Sequence, residues 1–374
     1  MLDTLKKDRA RKAREDARAR RRAEREAARG GANGRAKAAQ KPTWKETLGF
    51  WAKAIVVILL LRAFLFEPFR IPTPSMEKSL LVGDFLFVSK LHYGARTPNT
   101  IGIPFTGLYI PGLELPQVRL PGFDDPDRGD VAVFNYPPED GPIERKTPYI
   151  KRLVAMPGDT LRLLDKQLYV NGRRQPLTET MEHHWQVSIA PGSTLPRRRL
   201  EDLEVEYVGV DRQQGFVVLN ATPEAAAALE ALPYVETVAP YSYPDGVATD
   251  GVFPAGSRFN RDNYGPLLVP AAGMTVRLTA QTWPRYRDVI TRFEGRRAEV
   301  LPDGRVSIDG EVAETYTFEQ DYYFAMGDNR DNSQDSRFWG FVPADHLVGK
   351  AVLVFFSIDT ERFLPRLRGL MPIR

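Results

Sequence analysis

Apolar residues are distributed along this chain in two different ways. One block, LGFWAKAIVVILLLRAFLF from Leu48 to Phe66, is close to the ~20 residues that cross the hydrocarbon core of a bilayer. Lys53 and Arg62 interrupt it, each within about two turns of an end, where a long side chain reaches the headgroups. Beyond this block the apolar residues alternate with polar ones in short runs: DFLFVSKL, DVAVFNY, TLRLL, QLYVNG, FVVLN, TVRLT, RVSIDG and KAVLVFFSI. A period of two, bounded by Gly, Pro, Asn and Asp, predicts β-strands, and their number predicts an antiparallel barrel-like or sandwich fold. Helix is scarce there. TPEAAAALEAL, residues 222 to 232, is the one helical candidate, starting at Thr222 or Pro223.

Turn residues divide the outer part further. PGDTLRLLDKQLYVNG (157–172) is echoed by AGMTVRLTA (272–280) and PDGRVSIDG (302–310), and Asn-Gly and Asp-Gly signal hairpins in both. The echo falls in or beside an insertion of residues 173–315. That insertion has no counterpart of Lys151, so it is expected to shape or support a site without performing chemistry. Residues 95–128 are punctuated by Pro and Gly and unusually apolar. They are expected either to touch lipid or to pack over the barrel.

Charge changes the reading of the apolar block. The net charge is +4, but residues 1–45 carry 16 Lys/Arg against 6 Asp/Glu, so the basic character belongs to the N-terminal tail. The tail has no apolar stripe and reads as a solvated arm, disordered or partly helical. No aromatic or fold signature of nucleic-acid binding accompanies it. A signal peptide would carry a small-residue cleavage site after its apolar run, whereas here FEPFRIP follows. The block is therefore read as an uncleaved anchor. The positive-inside rule places residues 1–45 in the cytoplasm and the chain after Glu67 outside it. With 374 residues and 43% hydrophobic content the chain is long enough for two lobes. The absence of cysteine excludes thiolate catalysis, Cys-ligated zinc and disulfides. The four histidines, His92, His183, His184 and His346, have no metal-ligand spacing. No metal or cofactor is expected.

Three stretches carry candidate chemistry: Ser75 in RIPTPSM, Lys151 in YIKRLVAMPGD, and GDNRDNSQDSRFWGFVP from Gly327. Pro72 and Pro74 fix the backbone around Ser75 as a stiff extended ribbon. No G-x-S-x-G elbow exists, and no histidine has an Asp at a suggestive spacing. Lysine is the other base available to a serine nucleophile. Its amine must be brought ~2 to 3 units below its usual value to accept a proton near neutral pH, and burial does that. Strand alternation places Tyr149, Lys151 and Leu153 on one face and Ile150, Arg152 and Val154 on the other, so Lys151 can enter an apolar interior while Arg152 faces away. Spacing alone leaves a lysine on a solvated strand open.

FRIPTPSM, GDFLFVSKLHYG, RGDVAVFNYP, YIKRLVAMPGDT and MGDNRDNSQDSRFWGFVPADHLVGKA, in this order and just outside an N-terminal anchor, resemble the successive boxes of the type I signal peptidases, the Ser/Lys leader peptidases of bacteria. The likeness covers residues 48–172 and 316–358. It implies a mainly β protein, with an antiparallel β-barrel-like catalytic core, an inserted second lobe and one preceding transmembrane helix. The implied division is a basic tail (1–46), a transmembrane helix (47–67), a first part of the core (68–172), a non-catalytic lobe (173–315) and a second part of the core (316–374).

Residue by residue, the resemblance implies Ser75 as nucleophile and Lys151 as general base. Thr73 would supply its hydroxyl, with the Ser75 N–H, to an oxyanion hole. Ser333 would orient the lysine amine, and Asp335 and Arg337 would form a supporting ion pair. Ile71, Pro72, Met76, Leu80, Tyr149 and Ile150 would line pockets selecting small residues, Ala-x-Ala-like, at the cleavage site. The implied substrates are exported preproteins. The implied surroundings are the bacterial inner membrane, with the lipid bilayer and the protein-export translocon as partners and the catalytic part on the extracytoplasmic side. Two alternatives stand beside this: a membrane-tethered β-scaffold without activity, and a self-cleaving Ser/Lys repressor-type protease, for which a DNA-binding helix-turn-helix is lacking.

Overall fold

A computed structural model describes residues 15, 17–26, 43–102, 109–367 and 369–373. Most of the basic tail lies outside the described residues; residues 17–26 are helical and exposed. So does part of the 95–128 stretch. The chain divides into two compact units, Met1–Ile58 and Leu59–Arg374.

The apolar block forms a helix, Trp44–Phe64. Its start is fixed by a capping box: Thr43 N–H and Oγ1–H both donate to Glu46 Oε2, at 2.7 and 2.9 Å, and Glu46 N–H donates back to Thr43 Oγ1 at 3.3 Å. None of its side chains is buried, and by length and composition it can cross a membrane. It ends two residues before the apolar run does, because Phe66 already opens a strand, Phe66–Arg70. Glu67 in that strand is held by Arg62 and Lys90, each at 2.9 Å.

The fold is mainly β, built on a curled antiparallel sheet. Its strands lie in the order Phe66–Arg70, Asp84–Ser89, Leu347–Asp359, Val131–Asn135, Pro148–Ala155, Tyr322–Met326 and Val342–Pro343. Leu364–Pro365 and Met371–Pro372 pair on the flank of Leu347–Asp359. Register shifts between Phe85 and Leu86 and between Phe87 and Val88 interrupt the longest pairing; such bulges bend a strand and steepen its twist, which curls the sheet. Val131–Asn135 and Tyr322–Met326 are buried along their whole length. Both faces of each are covered, so Val131–Asn135, read above as an alternating run, has no solvated face.

Every alternating run named above contains a strand, and the helical candidate is the helix Pro223–Glu230, with Thr222 Oγ1 accepting from Ala225 N–H. Asn171-Gly172 and Asp309-Gly310 are both two-residue turns with positive φ. They close Gln167–Val170 onto Arg173–Arg174 and Val306–Ile308 onto Glu311–Ala313. The echo is otherwise incomplete. Thr275–Arg277 pairs with Thr315–Thr317, because Thr279 to Thr282 turn the chain into the helix Trp283–Asp288.

Residues 173–315 contribute to two cores. Val252, Tyr264, Leu267, Tyr286 and Ile290 pack with Leu161, Leu163, Phe324 and Phe341, and Tyr264–Leu268 pairs with Thr160–Leu164. A four-stranded sheet of Glu206–Asp211, Phe216–Ala221, His183–Ile189 and Val235–Pro240 has its own cluster of Val187, Leu219, Ala221 and Leu229.

Arg119 is one of the side chains that pin the 95–128 stretch. The Arg119 guanidinium donates to the carbonyls of Tyr93, Gly94, Ala344 and Leu347, at 3.2, 3.0, 2.9 and 2.8 Å. Gly94 and Gly122 admit the backbone approach: a Cβ on Gly94 would lie 1.9 Å from the Leu120 carbonyl oxygen. Arg119→Met leaves these carbonyls without their donor, a cost of about 1–3 kcal/mol for each one that water cannot reach. The expected outcome is faster amide hydrogen exchange at Thr97 and Leu120, whose N–H groups are bonded within this loop. Unchanged exchange there would show that Arg119 does not hold it.

Candidate active site

The site is assembled from a turn, a strand and a loop. Thr73 is extended, at φ −130° and ψ 153°, and Pro74–Met76 is a single 3-10 turn that places Ser75 at its middle. The turn is anchored from below by Ile71, Met76 and Leu80, all 2% exposed or less. Ser75 itself is 7% exposed.

Lys151 lies on Pro148–Ala155 and is 4% exposed. Its Nζ is 2.7 Å from Ser75 Oγ and 2.9 Å from the Ile150 carbonyl oxygen. The Tyr149 ring is 5.5 Å away on the same face, as the strand period requires. Burial brings the Lys151 amine down to about 8, against the opposing pull of Asp335 and Asp328.

Those two carboxylates explain why the amine stays low. Asp335 is bonded by Arg337 Nε and Nη2, at 2.9 and 2.8 Å, and by the Gly327 N–H at 3.1 Å. Asp328 is bonded by Arg152 Nε and Nη2, at 2.9 and 2.6 Å, and by Ser79 Oγ at 2.5 Å. Each negative charge thus has an arginine closer than the lysine. Arg152 departs from the expectation that it faces away: it is 5% exposed, turned from Lys151 but into the interior.

The loop also grips the backbone of the Ser75 turn. Asn329 N–H donates to the Ser75 carbonyl at 3.1 Å and Asn329 Nδ2 to the Pro74 carbonyl at 3.3 Å. Asn220 Nδ2 joins Asn329 Oδ1 at 3.3 Å and Glu182 Oε2 at 3.4 Å. Glu182 is buried, and desolvation raises its carboxyl to about 7. These residues, with Gly327, Asp328 and Arg152, were absent from the sequence-derived site. Asn329 and Asp328 lie in the box already singled out, but nothing in the spacing of Asn220 or Glu182 pointed to them.

The remaining expected residues divide. Asp335 and Arg337 form the ion pair, 0% and 2% exposed. Thr73 Oγ1 is 3.5 Å from Ser75 Oγ. Ser333 makes no hydrogen bond to Lys151; its buried Oγ lies toward Asp335, whose carboxyl it helps to keep low. It packs against Gly327, where a Cβ would be 2.3 Å from Ser333 Oγ and 2.5 Å from the Ser75 carbonyl oxygen. Ile71, Met76 and Leu80 form one cluster with Ile150 at its edge. Pro72 is exposed, and Tyr149 stacks on Tyr136 at 4.4 Å. One histidine does have an aspartate: His346 Nδ1 is 2.7 Å from Asp345 Oδ1, and its Nε2 is 3.1 Å from Lys146 Nζ. Adjacent in sequence, that pair has no suggestive spacing, and its third partner is a lysine. Among the described residues no cluster of three or more His, Asp or Glu is arranged to hold a metal ion.

A family model described as signal peptidase, peptidase S26, matches residues 44–222 and 297–356, more than half of the chain. The match runs past residue 172, where the likeness of motifs stopped. Signal peptidase I of Pseudomonas aeruginosa is 30% identical over 316 residues, 81% of this chain and 69% of that protein. Signal peptidase I of Buchnera aphidicola subsp. Acyrthosiphon pisum is 27% identical over 316 residues, 84% of this chain and 76% of that protein. That of Rickettsia conorii is 26% identical over 316 residues, 84% and 80% of the two chains.

Gly327→Ala forces apart the Ser333 side chain and the Ser75 carbonyl. Acylation of Ser75 by a serine-directed β-lactam-like or penem reagent, followed by intact mass, is expected to fall by at least about 100-fold, the scale of a misplaced reacting group. Gly209→Ala, where nothing lies within 4 Å of the added methyl, is expected to react as the unaltered protein does. Equal acylation of the two variants would remove Gly327 from the site.

Proposed function

Because this chain belongs to the signal peptidase family, peptidase S26, and is a serine endopeptidase, we propose that it removes signal peptides from exported preproteins through a Ser75/Lys151 dyad. The observation that carries this is the 2.7 Å separation of Lys151 Nζ and Ser75 Oγ, with the amine buried and no carboxylate bonded to it.

In the neutral amine the Ser75 hydroxyl donates to Nζ, and the Oγ lone pair attacks the scissile carbonyl carbon while its proton passes to Nζ. The Ser75 N–H and the Thr73 hydroxyl would carry the charge on the former carbonyl oxygen. Collapse breaks the C–N bond, and the departing amine of the mature protein takes the proton from Lys151. A water then attacks the ester carbonyl while Lys151 accepts its proton; collapse breaks the C–Oγ bond, the proton returns from Nζ to Ser75 Oγ, and the signal peptide leaves with a free carboxyl group. Asp335 and Arg337 hold the ground beneath the amine. Ser333 serves here by packing beside Gly327.

Two unpaired strand edges support the binding mode. Among the described residues Phe66–Arg70 is paired only with Asp84–Ser89, and residues 148–151 pair only with Val131–Asn135, since Tyr322–Met326 begins its pairing at Arg152. An extended peptide inserted between 69–74 and 148–151 would be bonded on both sides. Ile71, Pro72, Met76, Leu80, Tyr149 and Ile150 would leave room only for small, Ala-x-Ala-like side chains. The helix Trp44–Phe64 would anchor the chain, with its basic N-terminal side in the cytoplasm. The catalytic part would then face the exported substrate, beside the translocon. Residues 173–315 would remain without chemistry of their own.

Incubation of detergent-solubilised protein with a preprotein, read by mass spectrometry, is expected to give one cut after a small residue, with both Ser75→Ala and Lys151→Ala inactive. Half the original rate in Lys151→Ala would refute the dyad, and an inactive unaltered protein would favour a scaffold. Thr73→Val is expected to lower kcat by roughly 100-fold, as for loss of one oxyanion donor; an unchanged kcat would remove that role.

The pH dependence has a definite sign. Burial lowers the lysine, and the neutral form is the base, so kcat/KM is expected to rise with pH and level off above about 8. A profile flat from about 6 to 9, for a preprotein whose cleavage is not limited by binding, would count against Lys151 as base.

A further inference from the structure

A cavity of about 410 Å³ lies among the last two turns of the apolar helix, the first strand and the Glu144–Pro148 segment. We propose that it binds the phosphate group of an anionic phospholipid, held chiefly by Arg96, Arg145 and Lys146. The placement rests on reading Trp44–Phe64 as a membrane anchor.

Charge bookkeeping comes first. The lining holds five cations, Arg62, Lys90, Arg96, Arg145 and Lys146, against two carboxylates, Glu67 and Glu144. Glu67 is taken by Arg62 and Lys90. Glu144 accepts from the N–H groups of Asn99 and Thr100, at 3.1 and 2.8 Å, and from the Thr100 hydroxyl. The other three cations are held by neutral acceptors. Arg96 bonds the Asp345 carbonyl at 2.6 Å and Asn135 Oδ1 at 2.7 Å. Arg145 bonds Thr100 Oγ1 at 3.1 Å and lies over the Tyr109 ring. Lys146, 8% exposed, bonds the Pro137 carbonyl at 3.3 Å and His346 Nε2 at 3.1 Å.

Among the described residues, no carboxylate is hydrogen-bonded to any of these three. The nearest candidate, Asp345, directs its carboxylate to His346 and Gln320. Keeping Lys146 buried and Arg96 half-buried without a hydrogen-bonded counter-charge is costly. A phosphate supplies that charge and accepts from guanidinium groups two bonds at a time.

The site's position chooses the source of the phosphate. Leu59, Arg62 and Ala63 in the lining belong to the end of the apolar helix, so a spanning helix puts the cavity at headgroup depth. Leu59, Ala63, Phe69 and Val348 supply apolar walls beside the cations, as a lipid's glycerol and first methylenes require. The substrate groove ends nearby at Phe69 and Pro148. Small neutral side chains there would give the surplus charge no partner.

The test is native mass spectrometry of the full-length protein in non-ionic detergent, titrated separately with dihexanoyl phosphatidylglycerol, dihexanoyl phosphatidylcholine and inorganic phosphate. The unaltered protein is expected to retain one phosphatidylglycerol in preference to phosphatidylcholine. Arg145→Glu, at an exposed position, and Lys146→Met are each expected to weaken that retention at least about tenfold, as for loss of a charge-assisted bond. Equal retention of both lipids, or unaltered retention in Arg145→Glu, would overturn the proposal. Displacement of the lipid by inorganic phosphate would overturn the lipid assignment. So would displacement by a synthetic signal peptide, which would make the cavity part of the substrate groove. Retention is read equally in Ser75→Ala protein, so failure here is separable from failure of the dyad.

Discussion

A buried amine facing a hydroxyl is held in an environment that would ordinarily reject it. Lys151 keeps its low proton affinity only while no carboxylate comes closer than an arginine does, and two carboxylates, Asp335 and Asp328, lie within electrostatic reach. The protein answers with two buried arginine pairs, Arg337 to Asp335 and Arg152 to Asp328. Such pairs are poor contributors to stability compared with apolar packing, because desolvation consumes most of the attraction. Here their consequence is electrostatic: each offsets a charge that would otherwise favour the protonated Lys151 amine.

The same loop solves a mechanical problem. Ser75, on a one-turn helix that Pro72 precedes and Pro74 opens, is stiff locally, but its distance to Lys151 depends on a separate strand. Asn329 ties the Pro74 and Ser75 carbonyls to the loop, and the loop is tied to the lysine strand through Asp328 and Arg152. Gly327 sits where these parts converge, and its missing side chain is what lets Ser333 and the Ser75 carbonyl approach so closely. Glu182 and Asn220 extend the network into the sheet built by residues 183–240. That sheet thereby supports the site from outside it.

The exposed apolar helix, the free edge of the first strand and the cation-lined cavity all lie along one continuous stretch of chain from Leu59 to Arg70 and its neighbours. A peptidase acting on a bond near a membrane surface needs its nucleophile a short chain distance from its anchor. Ser75 lies nine positions after Phe66, and three of the ten residues from Phe66 to Ser75 are prolines. Proline removes donors that an edge strand would otherwise present to another sheet, while fixing the ribbon that a substrate strand would meet.

What the sequence by itself determined is local in origin. Period-two runs became strands, Asn-Gly and Asp-Gly became two-residue turns, Thr222 capped its helix, and the apolar block became an exposed helix, because each depends on a few neighbouring side chains and backbone angles. The motif order also singled out Ser75 and Lys151, which the fold brings within 2.7 Å of each other, and Asp335 and Arg337, which form a buried ion pair. What only the tertiary structure decided depends on residues far apart in the chain: that Arg152 turns inward to Asp328, that Ser333 packs on Gly327 and makes no bond to Lys151, that Asn220 and Glu182 reach the Ser75 turn through Asn329, and that Thr275–Arg277 finds its partner forty residues away. Strand pairing and burial set those contacts, and neither is encoded in the spacing of any single segment.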